Sequence, residues 1–347
     1  MTKWYYPSTS RIVFLFILSV RHMYKSEDVS FIVTLTSGGL ASLFNFVLLL
    51  IIVRVRSKHI GQYCYLLFFY TASALLYSIF QLLGVQTFFA TSSGYLFFDT
   101  AHFLPHELAT INTFLFGTCY AQNIVILSVS FVYRYCVVCN QPKLDLLHQN
   151  GWKISMLCLT VIGFIMFMVA LEMTPSDVCD QEFGGDFEKV FGLPLSRVGY
   201  LCAAVKVKGH FNWGLARTLG AFSLLVLSSA LIIGFCTVKI FRAIGKNMYQ
   251  STSVAQNQKK IFTLLLLQLA MPFVFNNLPL QIVLISSYLH FDVSQYAHYL
   301  GAVLSVAQVV DPILTLIFIK PYRVVLWKRG RVSSSFRGST NNVPVIG

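Results

Sequence analysis

Apolar residues seldom alternate with polar ones in this chain; they run together in blocks bounded by lysine, arginine or acid. A charge at mid-bilayer costs about 2.5–3.5 kcal/mol even on a lenient insertion scale, so long charge-free blocks predict membrane crossings. Residues 29–53 form the first block and end at Arg54, Arg56 and Lys58. The second runs from residue 60 to about 90, ahead of Asp99. The third and fourth are residues 108–133, closed by Arg134, and 154–171, between Lys153 and Glu172. Residues 218–238 precede Lys239, residues 261–291 follow Lys260, and residues 293–319 precede Lys320 with Asp311 inside them. A bilayer core about 30 Å thick takes about 20 helical residues, so seven spans in an all-α bundle are predicted.

One more apolar run, residues 12–20, covers only about 13 Å as a helix. It reads as a short interfacial segment, the alternatives being a cleaved signal or a misplaced start. Residues 1–30 are therefore set apart as an exterior or interfacial segment, 31–320 as the seven-span domain and 321–347 as a cytoplasmic tail, with Ser333, Ser334, Ser335, Ser339 and Thr340 among arginines. The loop from Glu172 to about Asn212 is long and acidic, and Gly184, Gly185 and Pro194 punctuate it; it is a candidate lid.

Composition agrees with the block pattern. Hydrophobic residues are 56% and charged residues 11% of the 347, against roughly 45–50% and about 25% in water-soluble domains. A cytosolic enzyme, a disordered scaffold and a secreted disulfide module are excluded. The net charge of +13 suggests nucleic acid at first sight, but it sits in the loops. With the N-terminus outside, the inner loops and tail hold 17 Lys and Arg and the outer pieces 8, while 11 of the 13 acids fall outside. The excess of inner positive charge selects an exterior N-terminus and a cytoplasmic C-terminus.

Catalytic chemistry is thin. Asp311 alone cannot form a carboxylate dyad. His102 and His106 have zinc-like spacing, but Pro105 lies between them and no third ligand follows, so no metal or cofactor is expected. Of the eight cysteines only Cys179 and Cys202 fall in one segment of the oxidising outer face, which makes them the candidate disulfide. Polar residues inside the spans carry more information, because each must find a partner or line a cavity. Asn45 and Asp311 each lie nine residues before a basic inner boundary, at a depth of about 13 Å. Equal depth on spans one and seven predicts a direct or water-bridged contact, the alternative being that each bonds a different backbone carbonyl. Pro272 removes one hydrogen bond from the middle of span six and predicts a kink there. Gln268, Asn276 and Asn277 add polarity around it.

Span three closes with Phe-Val-Tyr-Arg-Tyr, residues 131–135. This resembles the arginine motif of G-protein-coupled receptors and, in the form F-x-Y-R-Y, the nematode seven-transmembrane chemoreceptors of serpentine receptor class r, the Str type. Asn45 in span one, Gly61-Gln62-Tyr63 with Leu66 and Leu67 ahead of span two, and Gln268 with Pro272 agree in order. So do Asp311-Pro312 and Ile319-Lys320-Pro321-Tyr322-Arg323. Gln62 and Pro321 depart from the pattern, which leaves class j and class d as neighbouring alternatives. The resemblance implies a chemosensory receptor of the plasma membrane, in the cilia of sensory neurons, that binds a small molecule and activates a heterotrimeric G protein. Ligand-binding residues would be Tyr120, Arg217, Asn276, Asn277 and Tyr299. Tyr133, Arg134 and Tyr135 would serve coupling, and Asn45, Gln268, Pro272, Asp311 and Pro312 an intramembrane switch. The rival is a seven-helix ligand-gated channel or transporter, against which stand the absence of internal repeats and the orientation. Partners are a small ligand, the G protein and membrane lipid, with no nucleic acid.

Overall fold

The computed structural model describes residues 27–55, 63–91, 93–101, 103–139, 144–207, 210–247, 253–289, 293–297, 299–319 and 321–325. The expectations for residues 12–20, for the serine-rich tail and for His102, Gly61, Gln62 and Lys320 lie outside the described residues. The predicted spans appear as long helices. Span one is Glu27–Arg54, span two Tyr63–Gly84, span three His106–Val138, span four Leu144–Glu172 and span five Trp213–Asn247. Span six begins as Ser253–Pro272, passes through a π-helical turn at Phe273–Asn277 and continues as Leu278–Tyr288; span seven is Leu300–Phe318.

Six of these helices are each long and apolar enough to cross a membrane. In span four the stretch Leu159–Glu172 meets that test only together with Asp177–Phe191, from which it is bent by 75°. The second helix of that pair carries five acids and belongs outside the bilayer. Span one packs on spans two and seven, and span three on spans two, four and five. Small hydroxyls join the first of these contacts: Ser37 Oγ donates to Ser305 Oγ at 2.6 Å, and Ser42 Oγ to Ser78 Oγ at 3.1 Å. With lipid on the far side there is no hydrophobic gain from pairing helices, so close approach through small and hydroxyl side chains does that work.

The end of the bundle where span two stops differs from an all-α expectation. Span two stops at Gly84, and residues 87–91, read from sequence as its continuation, are strand β1 (Thr87–Thr91). Strand β2 (Gly94–Phe98) completes a hairpin, and β3 (Tyr200–Ala204), from the long loop, pairs antiparallel with β2. Gly94 closes the hairpin turn. A Cβ there would lie 2.1 Å from the Ala203 carbonyl oxygen, so only glycine permits the strands to approach.

The sheet is buried on both faces. Phe88, Ala90, Tyr95, Phe97, Leu201 and Ala203 face the helical bundle. Phe89, Leu96, Phe98, Tyr200, Cys202 and Ala204 face the helix Asp177–Phe191, which lies across the sheet as a cap and contributes Phe183, Phe187 and Phe191. Ser176 caps that helix at its start by accepting from Cys179 N, Asp177 and Asp180 sit in its positively polarised first turn, and Gly192 ends it in the left-handed region at φ 65°. The acidic loop is thus a built cap, and Cys179 and Cys202 join its helix to the central sheet as a disulfide.

Candidate functional site

Pro272 has no N–H, so the carbonyl of Gln268 loses its helical partner and the helix can reorganise below the break. Six residues later it has done so: the N–H of Leu278 bonds the carbonyl of Phe273, one residue further back than in an α-helix. Pro279 follows immediately and removes a second donor. The extra residue in this turn carries Asn276 into the interior, where it is 5% exposed.

Beside the turn, between spans two, three, five, six and seven, lies a cavity of about 280 Å³. Tyr120, Asn276 and Asn277, three of the five residues expected to bind ligand, line it, as do Pro272 and Asp311. Tyr120 Oη donates to Asn277 Oδ1, which ties span three to the π-turn. The other two expected ligand residues stand elsewhere. Arg217 is exposed and its Nε donates to the carbonyl of Trp213 at 3.3 Å, while Tyr299 is 42% exposed just before span seven. Neither lines this cavity. A long guanidinium reaches the outer interface more cheaply than it enters an apolar interior.

At one side of the cavity is a group of polar side chains that includes Tyr70 and Asp311 of its lining. The structure shows no direct hydrogen bond between Asn45 and Asp311, and each has another partner. Asn45 Nδ2 donates to the carbonyl of Ala41 on its own helix at 2.9 Å, whereas Asp311 Oδ2 accepts from Tyr70 Oη of span two at 2.6 Å. Counting residues to a basic boundary says nothing of the direction each side chain faces around its helix. Gln268 Nε2 donates to Thr315 Oγ1 at 2.9 Å, and Thr315 Oγ1 in turn donates to the carbonyl of Asp311 at 3.0 Å. Span six is therefore held to span seven one turn before its break. Pro312 is buried within span seven beside Asp311.

Nearer the inner end, Arg134 is 4% exposed and Tyr133 8%. Tyr133 belongs to a core with Phe131, Ile240, Leu264, Leu265 and Tyr322. Tyr135 sits edge-on to Phe235 of span five at 5.8 Å. Spans three, five and six thus meet around the arginine motif, and movement of span six would alter its surroundings.

Sequence reading missed several lining residues: Tyr70, Tyr77, Asn123, Gln281 and Gln308. Tyr70 and Tyr77 are seven apart and so share one face of span two, a signal that was present but lost among 17 tyrosines. Pro279, seven after Pro272, was also legible as a second break. A further aromatic chamber of about 110 Å³ lies directly under the sheet and shares Tyr77 and Tyr120 with the larger cavity.

A bundle of seven apolar helices, broken at an interior cavity and covered by a disulfide-fixed cap, is the architecture of a seven-transmembrane receptor. Residues 30–327 match the serpentine-type seven-transmembrane G-protein-coupled chemoreceptor Str family, and the chain belongs to that family. It is similar to the Caenorhabditis elegans G-protein coupled receptor str-33, at 23% identity over 80% of this chain and 84% of the relative. Similar too are the serpentine receptors class r-10 of Caenorhabditis briggsae, 22% identical over 81% and 85%, and of Caenorhabditis elegans, 21% identical over 80% and 84%. The family is a class of receptors, not of enzymes.

Proposed function

We propose that this chain is a chemosensory receptor of the plasma membrane which binds a small molecule in the cavity beside Asn276 and activates a heterotrimeric G protein from its inner face. The observation that carries the reading is the coincidence of the cavity with the π-turn of span six. A ligand touching Asn276 and Asn277 touches the one place where span six is already released from helical hydrogen bonding. Ligand binding can shift a two-state equilibrium only by its differential affinity for the two states, and contact with the movable turn supplies such a difference. The inner half of span six then moves relative to Arg134, and the region around Tyr133, Arg134 and Tyr135 engages the partner.

Orientation rests on two supports. The Cys179–Cys202 disulfide lies at the end of the bundle where span one begins, and disulfides persist in oxidising surroundings. Arg54, Arg134, Lys239 and Arg323 lie at the other end. In this reading residues 31–320 are the receptor domain. The family of chemoreceptors makes the ciliated endings of sensory neurons the expected site.

The test is a G-protein reporter assay in cells expressing the full chain with tags at both ends, screened with volatile and water-soluble compounds. Arg134→Ala should reach the surface, bind ligand and lose signalling. Full signalling by that variant removes Arg134 from the mechanism, and both tags on one side of the intact membrane removes the receptor reading.

A further inference from the structure

The two chambers that meet at Tyr77 and Tyr120 differ sharply in chemistry. The upper one is bounded by the inward face of the sheet, by Phe116 and Met166, and by Leu304; its lining holds no charged and no amide side chain. Its aromatic walls are tightly set. Phe88 stacks on Phe97 at 4.5 Å and Tyr77 on Phe116 at 4.4 Å between ring centroids. Such a space favours an apolar chain, the polar side-chain atoms on its lining being the hydroxyls of Tyr77, Tyr95 and Tyr120.

The lower chamber is lined by Asn123, Asn276, Asn277, Gln281, Gln308 and Asp311 among its apolar residues. Besides Gln308 Oε1, its amide oxygens Asn123 Oδ1 and Asn276 Oδ1 have no hydrogen-bond partner among the described residues, although both are buried. A buried acceptor without a donor is costly, and a donor brought by a ligand recovers that cost. Rotation about χ2 turns either oxygen toward the chamber. Between the chambers Tyr120 Oη donates to Asn277, the last residue of the π-turn.

We infer that the site takes a small linear amphiphile, with its apolar chain among the aromatic side chains under the sheet and a hydrogen-bond-donating head, hydroxyl or ammonium, in the lower chamber. Such a molecule runs past Tyr77 and Tyr120. Its passage breaks the Tyr120–Asn277 hydrogen bond and so releases the π-turn from span three. An alcohol and an amine share the donor that Asn123 and Asn276 require, and an ammonium additionally faces the carboxyl of Asp311. A ketone of the same length brings only an acceptor, which cannot pair with the oxygens of Asn123 and Asn276.

This inference rests on the cavity being the ligand site, as proposed above, but its test does not use G-protein signalling. The full-length receptor is held in phosphatidylcholine nanodiscs, and the shift of its thermal midpoint is titrated with 1-hexanol, hexylamine, 2-hexanone and hexane. The alcohol or the amine should raise the midpoint saturably, and 2-hexanone should require at least about tenfold more. Comparison of alcohol with amine tells whether the head is neutral or charged. Asn276→Leu should weaken binding of the donor-headed probe about three- to tenfold, the loss of one hydrogen bond, and leave hexane unchanged; Asn123→Leu serves the same purpose if Asn276→Leu does not fold. Leu304→Trp, which fills the upper chamber, should abolish the response to all probes. Tyr120→Phe should tighten binding, because the bond that ligand must break is already gone. A ketone equal to the alcohol and amine, a donor preference that survives both leucine variants, or no saturable shift with any probe overturns the inference. Signalling evoked by other compounds alongside such a result would leave the receptor reading standing, whereas saturable amphiphile binding without any G-protein turnover would do the reverse.

Discussion

The cap and the π-turn of span six sit at opposite ends of the same cavity system and are built on opposite principles. In the cap, both faces of a three-stranded sheet are buried, aromatic rings cross-pack at 5.0–5.7 Å between Phe98 or Phe89 and the cap helix, and a covalent bond joins helix to sheet. At the turn, two prolines have removed backbone donors, and polar side chains reach other spans through single hydrogen bonds. The difference separates two tasks. In the proposed function one end fixes the shape that a ligand meets, and the other is left with small barriers that a ligand can overcome.

Removing the cap's covalent tie should have the largest effect. The disulfide closes a separation of 23 residues, and chain-entropy arguments give about 3 kcal/mol for such a loop. Cys179→Ser with Cys202→Ser should lower the thermal midpoint of the purified receptor and reduce its surface fraction. An unchanged midpoint would mean that aromatic packing alone holds the cap, and the contrast with the turn would weaken. Gly94→Val should follow, at about 1–3 kcal/mol, since its Cβ would meet the Ala203 carbonyl and its φ of 154° disfavours a branched side chain. The double-cysteine variant and Gly94→Val act on the same sheet, so their costs should not add.

Breaks in the polar layer should cost less and alter signalling more. Interhelical hydrogen bonds in membranes average about 0.6 kcal/mol and reach about 1.7. Tyr70→Phe should lie near the upper figure, because it strands a carboxyl oxygen of the buried Asp311, while Asp311→Asn keeps an acceptor for Tyr70 and should preserve surface expression. Gln268→Leu should lie nearer the average and, by freeing span six from Thr315, raise ligand-independent G-protein activity. Basal activity measured against surface level checks both. If Gln268→Leu lowers stability without changing basal activity, the hydrogen bond is structural and the turn moves without it.

How much of this was legible in sequence follows the same division. The spans were readable because lipid excludes charge, and Cys179 with Cys202 because one oxidising segment holds both. Tyr120, Asn276 and Asn277 converge as expected, since polar residues in the outer halves of neighbouring spans have few other places to go. The sheet was not readable. Residues 87–91 and 94–98 are buried on both faces, so they show no alternation, and they follow span two without an intervening charge. The partner of Asp311 was missed for a different reason. Counting residues to a basic boundary fixes depth, but the choice between Asn45 and Tyr70 depends on rotation about the helix axis, which a sequence alone leaves open.

The smallest effect concerns the outer face of the cap and depends on pH. Tyr200 Oη donates to Asp180 Oδ1 at 2.6 Å. Burial of the phenol, then the hydrogen bond and charge of Asp180, push its pKa well above the ordinary value of 10.0. The folded cap therefore holds the proton more tightly than the unfolded chain. That contribution to stability is complete below pH 10 and declines as pH rises through the range between the unfolded and folded values. Because Asp180 is exposed, the hydrogen bond is discounted to below about 1 kcal/mol at neutral pH. Tyr200→Phe should thus change the midpoint little at pH 7 and flatten its fall above pH 10, relative to the parent. The disulfide bounds what alkali can do: with Cys179 and Cys202 joined, loss of the tyrosine proton should loosen the cap helix without releasing β3. Hydrogen exchange of Asp177–Phe191 amides, measured against those of Tyr200–Ala204, distinguishes the two. Equal loss of protection in both segments at high pH would show that cap helix and sheet open as one unit, in which case the covalent tie does not partition the cap as argued.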